Sequence, residues 1–140
     1  MKLRIVWVGK TRNPQIAKLC KDYISRIEHF LPLNIAEVKE ADKILAKLDV
    51  SDRVVALDAK GKTWTSEQLA KFVHQHMNSD ARRLTFVIGD YDGLSEGVMK
   101  RADVQWSLSP LTFTHDLTRV LLLEQLYRAL SIIRNLPYSR

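Results

Sequence analysis

The residues that could support chemistry lie mostly in three loops, each of which follows a short apolar segment. The loops are residues 58–62, 89–93 and 109–115. They contain no dinucleotide or P-loop fingerprint and no nucleophile elbow, and no His, Cys or carboxylate cluster has metal-ligand spacing. The three loops contain few nucleophilic side chains. Their composition therefore favours a site in which backbone and apolar groups hold a cofactor. We predict no metal.

Strands and helices alternate along the chain and must position these loops. The predicted strands are residues 2–8, 33–38, 53–57, 83–88 and 104–108. The predicted helices follow Asn13-Pro14, Glu40, Thr65 or Ser66, and Ser95, and the last one covers residues 117–133. Continuous apolar strands are typical of a parallel sheet covered on both faces. The pattern therefore predicts an α/β sandwich with about five parallel strands, whose loops meet at one edge.

The last predicted helix is apolar over most of its circumference. Leu122 and Ile132 fall outside its broad apolar face. That face consists of Leu117, Val120, Leu121, Leu123, Leu126, Tyr127, Leu130 and Ile133. Because such a helix must be buried on more than one side, we predict a homodimer with a second subunit against it. Charged residues such as Arg119 and Arg128 interrupt the run, so we do not expect it to span a membrane.

Composition narrows the class of protein. A chain of 140 residues predicts one domain. The net charge of +6 favours a polyanionic partner such as nucleic acid. One cysteine, Cys20, excludes an internal disulfide and is compatible with a reducing cytoplasm. The first apolar segment is interrupted by Arg4 and is too short for a signal peptide, so we expect a cytoplasmic protein.

Five longer motifs resemble a known family over almost the whole chain. They are VALDAKGKTW (residues 55–64), FVIGDYDGLS (86–95), WSLSPLTFTH (106–115), RVLLLEQLYRA (119–129) and the PYSR tail. Together they resemble the RlmH family, the ribosomal large-subunit pseudouridine N3-methyltransferases of the SPOUT superfamily. The resemblance implies one SPOUT-type domain over residues 1–140, with a parallel-sheet α/β/α sandwich and a C-terminal trefoil knot, a topology that chains rarely adopt. It also implies a homodimer through the last helix, with the tail of one subunit at the other's cofactor site.

The resemblance implies that S-adenosyl-L-methionine is the cofactor. The cofactor-binding positions carried over are Leu57, Gly89, Leu108, Ser109, Pro110, Leu111, Thr112 and Phe113. Adenine needs a flat apolar slot, and loop amides and carbonyls can bind its edge. Gly89 would let the backbone approach the ligand closely, although taken alone it would be a strand-ending turn.

The implied substrate is a pseudouridine of 23S-type ribosomal RNA in the assembled ribosome, methylated at N3. Such a transfer needs positioning of the reactants and removal of a proton. The candidate catalytic residues are His115, Arg119 and Tyr138. Cations that could hold RNA phosphates are Lys10, Arg12, Lys60, Lys62, Arg119, Arg128, Arg134 and Arg140. About half of these cations could be general solubilising charge, His115 could cap the helix, and Tyr138 could pack the tail or stack on a base.

The chain departs from the family pattern in three places. Asp90 stands where the family has glycine, Ser139 stands where it has a histidine in the tail, and the stretch between Val38 and Leu45 is shorter. Asp90 could attract a sulfonium or hinder RNA, and Ser139 cannot take a proton near neutral pH. An alternative is therefore a non-catalytic ribosome- or RNA-binding module that has lost turnover. A nucleotide-binding small-molecule enzyme is disfavoured because the phosphate motifs are missing.

Overall fold

A central parallel sheet organises the computed structural model, which describes residues 1–80 and 83–138. The strands are β1 (Lys2–Val8), β2 (Leu33–Val38), β3 (Asp52–Thr63), β4 (Arg83–Val87) and β5 (Val104–Ser107). Every pairing is parallel and the order is β2-β1-β4-β3-β5. The helices are α1 (Pro14–Glu28), α2 (Ser66–Met77), α3 (Glu96–Arg101) and α4 (His115–Ile133). The predicted α/β fold with five parallel strands is confirmed.

Alternating residues of the strands supply two hydrophobic cores, one on each face of the sheet. Leu3 and Ile5 of β1 belong to the larger core, which α1, α2 and α4 cover. Val6 points to the other face and packs with Ile44 and with Val98 of α3. This alternation is what a strand buried on both faces requires, and it gives the predicted three-layer sandwich.

Local sequence signals set the helix starts. Asn13 caps α1 by accepting hydrogen bonds from the amides of Gln15 and Ile16, at 2.9 and 3.1 Å. Thr65 and Gln68 form a capping box at the start of α2. The predicted helix after Glu40 is wrong, because the chain forms only two short 3₁₀ turns there, Ala41–Lys43 and Leu45–Lys47. Neither turn has a side-chain cap, and a helix this short gains little from its own hydrogen bonds.

Strand β3 extends beyond its predicted end at Leu57. Leu57 and Lys62 both pair with Trp106 of β5, so the residues between them form a bulge. A side chain on Gly61 would meet the backbone of Gln105 at 2.6 Å. The bulge therefore depends on a glycine, and it ends the regular part of β3 at the edge where the loops meet.

The apolar circumference of α4 is explained mainly by contacts within the chain. The helix packs against both α1 and α2. Leu122, predicted to lie outside the apolar face, is fully buried, as are Leu123 and Leu126. The inference that a second subunit must cover these residues is therefore wrong, and the homodimer stays a prediction. None of the helices in the described residues is long and apolar enough to cross a membrane.

Candidate active site

The loops that follow β3, β4 and β5 enclose one pocket of about 260 Å³ at the carboxyl edge of the sheet. We call it the cofactor pocket. Its lining includes seven of the eight residues predicted to bind cofactor: Leu57, Gly89, Leu108, Ser109, Leu111, Thr112 and Phe113. Pro110 is exposed and does not line it. The sequence therefore identified which loops come together, whereas the role of each residue stays a prediction.

Hydrogen bonds between residues close in sequence fix the loop between β5 and α4. The Ser107 hydroxyl donates to the carbonyl of Ser109 at 2.9 Å, and the Ser109 hydroxyl accepts from the amide of Leu111 at 3.0 Å. Thr114 then caps α4 by accepting from the amide of Leu117 at 3.3 Å. The backbone of this loop is thus held in shape by its own residues before any ligand binds.

The loop after β4 is a tight turn built around two glycines. The amide of Gly93 donates to the carbonyl of Asp90 at 2.8 Å. A side chain on Gly89 would meet the backbone of Gly93 at 2.6 Å. A close backbone approach within its own loop therefore already requires a glycine at position 89, and contact of Gly89 with a cofactor stays a prediction.

A second space of about 780 Å³ adjoins the cofactor pocket, and we call it the basic groove. Lys10, Arg12 and Lys39 line it, together with the start of α4. Three side chains line both spaces: Asp90, Tyr91 and His115. Two adjoining spaces, one formed by the loops that follow the strands and one with cations in its lining, suit a reaction between a bound cofactor and an anionic substrate.

Arg119, predicted to be catalytic, is a buried residue that holds the wall of the basic groove. Arg119 is only 2% exposed. The guanidinium donates to the Thr11 hydroxyl at 3.1 Å and to the carbonyl of Val8, and it lies 4.6 Å from the ring centre of Trp7. Burial lowers the pKa of Arg119. These contacts favour a positioning role over contact with the reacting atoms.

Asp116 completes the attachment of the basic loop to α4. Its carboxylate accepts from the amide of Asn13 at 2.7 Å and from the amide of Arg12 at 3.2 Å. Arg119 and Asp116 therefore hold the loop of Lys10 and Arg12 in place from the same helix. Pre-organised cations lose less entropy when they bind phosphate.

Tyr138 follows α4, and its side chain folds back to the middle of that helix. Its hydroxyl donates to Glu124 at 3.0 Å and is 3.1 Å from the Tyr23 hydroxyl. Burial and these hydrogen bonds raise the pKa of Tyr138. Glu124 follows His115 by nine residues on α4, which is about 14 Å at 1.5 Å per residue, and Tyr138 lines neither the cofactor pocket nor the basic groove. Tyr138 therefore does not share a site with His115 of the same chain.

The remaining predicted cations are dispersed. Arg128 forms an ion pair with Glu124 at 2.7 Å, which raises its pKa, and its guanidinium lies 4.9 Å from the ring centre of Tyr138. Arg134 is exposed beside Phe30. Lys60 and Lys62 are exposed on the outer part of β3. Arg140 and Ser139 lie outside the described residues. Among the predicted cations that the structure describes, Lys10, Arg12 and Arg119 line the basic groove.

Four charged or aromatic lining residues had been given no role: Asp58 and Tyr91 in the predicted loops, Lys39 after β2, and Asp116 on α4. Asp58 and Tyr91 lie inside loops that were predicted to form the site, so their positions could have indicated them. The pairing of β1 with β2, which brings Lys39 to this edge, is not visible in the sequence pattern. In the described part of the chain, no three His, Cys, Asp or Glu side chains are grouped as metal ligands.

Solved structures show the class of fold. The SpoU methyltransferase AviRb from Streptomyces viridochromogenes, solved with AdoMet, matches with a TM-score of 0.55 and 12% identity, covering 91% of this chain and 57% of that one. The tRNA (m1G37) methyltransferase from Aquifex aeolicus matches with a TM-score of 0.54 and 14% identity, covering 99% and 72%. A family model described as "Predicted SPOUT methyltransferase" matches residues 1–139. The chain is therefore a SPOUT methyltransferase in fold and family.

Curated relatives specify the family within that class. A ribosomal RNA large subunit methyltransferase H from Trichlorobacter lovleyi is 41% identical over 151 residues, covering 99% of both chains. Another protein of that name, from Coprothermobacter proteolyticus, is 39% identical over 140 residues, covering all of both. The chain belongs to this family, RlmH, and the resemblance found in its motifs is confirmed.

Proposed function

We propose that this protein is a methyltransferase of one SPOUT domain, residues 1–140, that uses S-adenosyl-L-methionine to methylate N3 of a pseudouridine in 23S-type ribosomal RNA. The observation that carries the proposal is the junction of the cofactor pocket with the basic groove at Asp90, Tyr91 and His115. The relatives' name supports the RNA substrate. A cytoplasmic location follows from that substrate.

The cofactor pocket fits S-adenosyl-L-methionine chemically. Leu57, Ile88 and Leu108 offer apolar surface for an adenine ring, and the loop of Ser109 to Phe113 offers backbone donors and acceptors. S-adenosyl-L-methionine supplies an electrophilic methyl group on a sulfonium. Asp58 and Asp90 are the carboxylates of the lining, and they favour a cation in the pocket over an anion.

The basic groove fits the RNA. Lys10, Arg12 and Lys39 can contact phosphates and set the position of the nucleotide without reading its sequence. Tyr91 is 87% exposed beside both spaces. An exposed aromatic ring at this place can stack on an unpaired base, a role that the sequence had suggested for Tyr138.

A homodimer would bring the tail to the site. Tyr138 lines neither the cofactor pocket nor the basic groove of its own chain, so the tail of a second subunit is the candidate to meet them. One stripe of α4 stays half-buried or exposed: Leu117, Leu121, Glu124, Gln125, Arg128 and Ile132. This stripe is the part of α4 on which a second subunit can pack. Binding to the assembled ribosome and the C-terminal trefoil knot both stay predictions.

Methylation of ribosomes tests the proposal directly. Ribosomes from a strain that lacks this protein are incubated with the purified protein and labelled S-adenosyl-L-methionine, and the digested RNA is analysed by mass spectrometry. We expect one methyl group on a pseudouridine. The matched control is Thr112→Trp, because Thr112 is exposed on the pocket lining and a large ring there fills the pocket without disturbing the core. Cofactor binding without RNA methylation would favour the non-catalytic module.

A further inference from the structure

Asp90 is placed where the cofactor pocket meets the basic groove. Its side chain lines both spaces and is half-buried. One carboxylate oxygen, Oδ1, accepts from the amide of Asp92 at 3.0 Å. Within the described residues, the other oxygen, Oδ2, accepts no hydrogen bond. The turn therefore fixes the carboxylate and leaves one of its oxygens available to a molecule at the junction.

Other groups near the junction are less suited to accept a proton. Asp116 lines only the groove, and its carboxylate already holds the amides of Arg12 and Asn13. Asp58 lines only the cofactor pocket. Tyr91 lines both spaces, but a phenol is already protonated near neutral pH.

His115 is the remaining rival, since it also lines both spaces. It is the first residue of α4. An imidazole that takes a proton there becomes a cation at the positive end of a helix dipole, which opposes it. A carboxylate that takes a proton becomes neutral and meets no such opposition.

We propose that Asp90, which stands where the family has glycine, is a catalytic base particular to this chain and takes the N3 proton of the target base. This inference rests on the proposed methyl transfer. The N3–H bond breaks and its proton passes to Oδ2 of Asp90, while its electron pair forms the new bond from N3 to the methyl carbon. The carbon–sulfur pair returns to sulfur, which leaves a neutral thioether, and Asp90 then releases the proton to water.

The charges in this step support a carboxylate. A cationic sulfur close to Asp90 stabilises its anionic form before the reaction. As the methyl group leaves, the positive charge on sulfur disappears, so the carboxylate becomes a stronger base as N3 loses its proton. Asp90 thus acquires its basicity in the transition state, where it contributes to the rate.

The test compares Asp90→Asn with Asp92→Asn. Asparagine keeps an oxygen that can accept from the amide of residue 92, so the turn is preserved. Asp92 is exposed in the same turn and lines neither space, so its variant controls for a lost charge. Single-turnover methylation of ribosomes is measured at saturating cofactor. Calorimetry gives the Kd of each protein for S-adenosylmethionine and for S-adenosylhomocysteine.

We expect Asp90→Asn to slow methyl transfer about 100-fold or more and to leave the KM for ribosomes unchanged or lower. Asp92→Asn should stay within about threefold of the wild type, since that charge lies outside both spaces. Independently of activity, Asp90→Asn should lower the preference for the sulfonium over the thioether by about threefold or more, because a nearby anion distinguishes the two ligands.

Two results would overturn the role of Asp90 while the proposed function stands. One is an active wild type whose Asp90→Asn variant transfers methyl groups within about threefold of its rate at saturating cofactor. The other is an unchanged preference between sulfonium and thioether, which would place Asp90 away from the reacting sulfur. A wild type that binds cofactor but methylates no RNA would instead refute the proposed function, and the role of Asp90 with it.

Discussion

Arg119 connects the last helix to the loop of Lys10 and Arg12 through buried contacts. Its guanidinium has two hydrogen-bond partners on the β1–α1 connection, Thr11 and Val8, and lies over Trp7. A buried guanidinium is tolerated only when such partners are present. Removal of the side chain leaves those partners unpaired. We therefore expect it to lower the stability of the fold first, and to affect the site only as a consequence.

We expect Arg119→Ala to lower the free energy of unfolding by about 3 kcal/mol, because it removes charged hydrogen bonds and leaves a cavity. Urea denaturation followed by circular dichroism measures the change. Arg134→Ala is the matched control, since Arg134 is exposed at the other end of α4 and should change stability by about 0.5 kcal/mol or less. If Arg119→Ala has wild-type stability but cannot methylate RNA, the result would support the predicted catalytic role of Arg119 over a positioning role.

Cys20 gives a prediction on pH dependence. Burial raises the pKa of its thiol from 9.0 to about 11. Between these values the unfolded chain loses the thiol proton and the folded chain keeps it, so the stability contributed by the thiol falls as pH rises.

From pH 8 to 10.5 this loss amounts to about 2 kcal/mol. Cys20→Ala should therefore lose less stability than the wild type over that range, as measured by urea denaturation at each pH. The cavity left by alanine is the same at every pH and cancels from the comparison. Parallel stability curves for the two proteins would contradict a raised thiol pKa.

At the scale of elements, α4 has separate buried and open sides. Leu123 is fully buried among side chains of its own chain, whereas Leu117 is 42% exposed on the open stripe. Leu123→Glu and Leu126→Glu would therefore report on the stability of the chain and not on a dimer. Both residues belong to the core, and a carboxylate there has no partner.

We expect Leu123→Glu to destabilise the chain by about 4 kcal/mol or more, because it buries an unpaired charge, and to give unfolded or insoluble protein. Leu117→Glu should fold with wild-type circular dichroism and, if the open stripe is the interface, elute as a monomer with light-scattering detection. A dimeric Leu117→Glu protein would place the interface elsewhere.

At the scale of the whole molecule, the sequence predicted the strands and most of the helices well, and their spatial arrangement less well. Apolar periodicity located all five strands, and motif resemblance located the loops of the cofactor pocket. Periodicity cannot show which strands are neighbours, so the position of Lys39 was missed. It also cannot show whether the apolar side of α4 meets α1 and α2 or a second chain, since the same residues satisfy both.

The active site should be shared between two chains, because Tyr138 is held at the middle of α4 by Glu124 and lines neither space of its own chain. Thr112→Trp blocks the pocket and keeps the tail, whereas deletion of residues 137–140 keeps the pocket and removes the tail. Each variant alone should be inactive. When the two are co-expressed, random pairing gives half heterodimers with one intact site each, or about a quarter of wild-type activity. Methylation of ribosomes by the co-purified mixture measures this. If pocket and tail act within the same chain, the mixture stays as inactive as its parents, because neither chain then carries both parts.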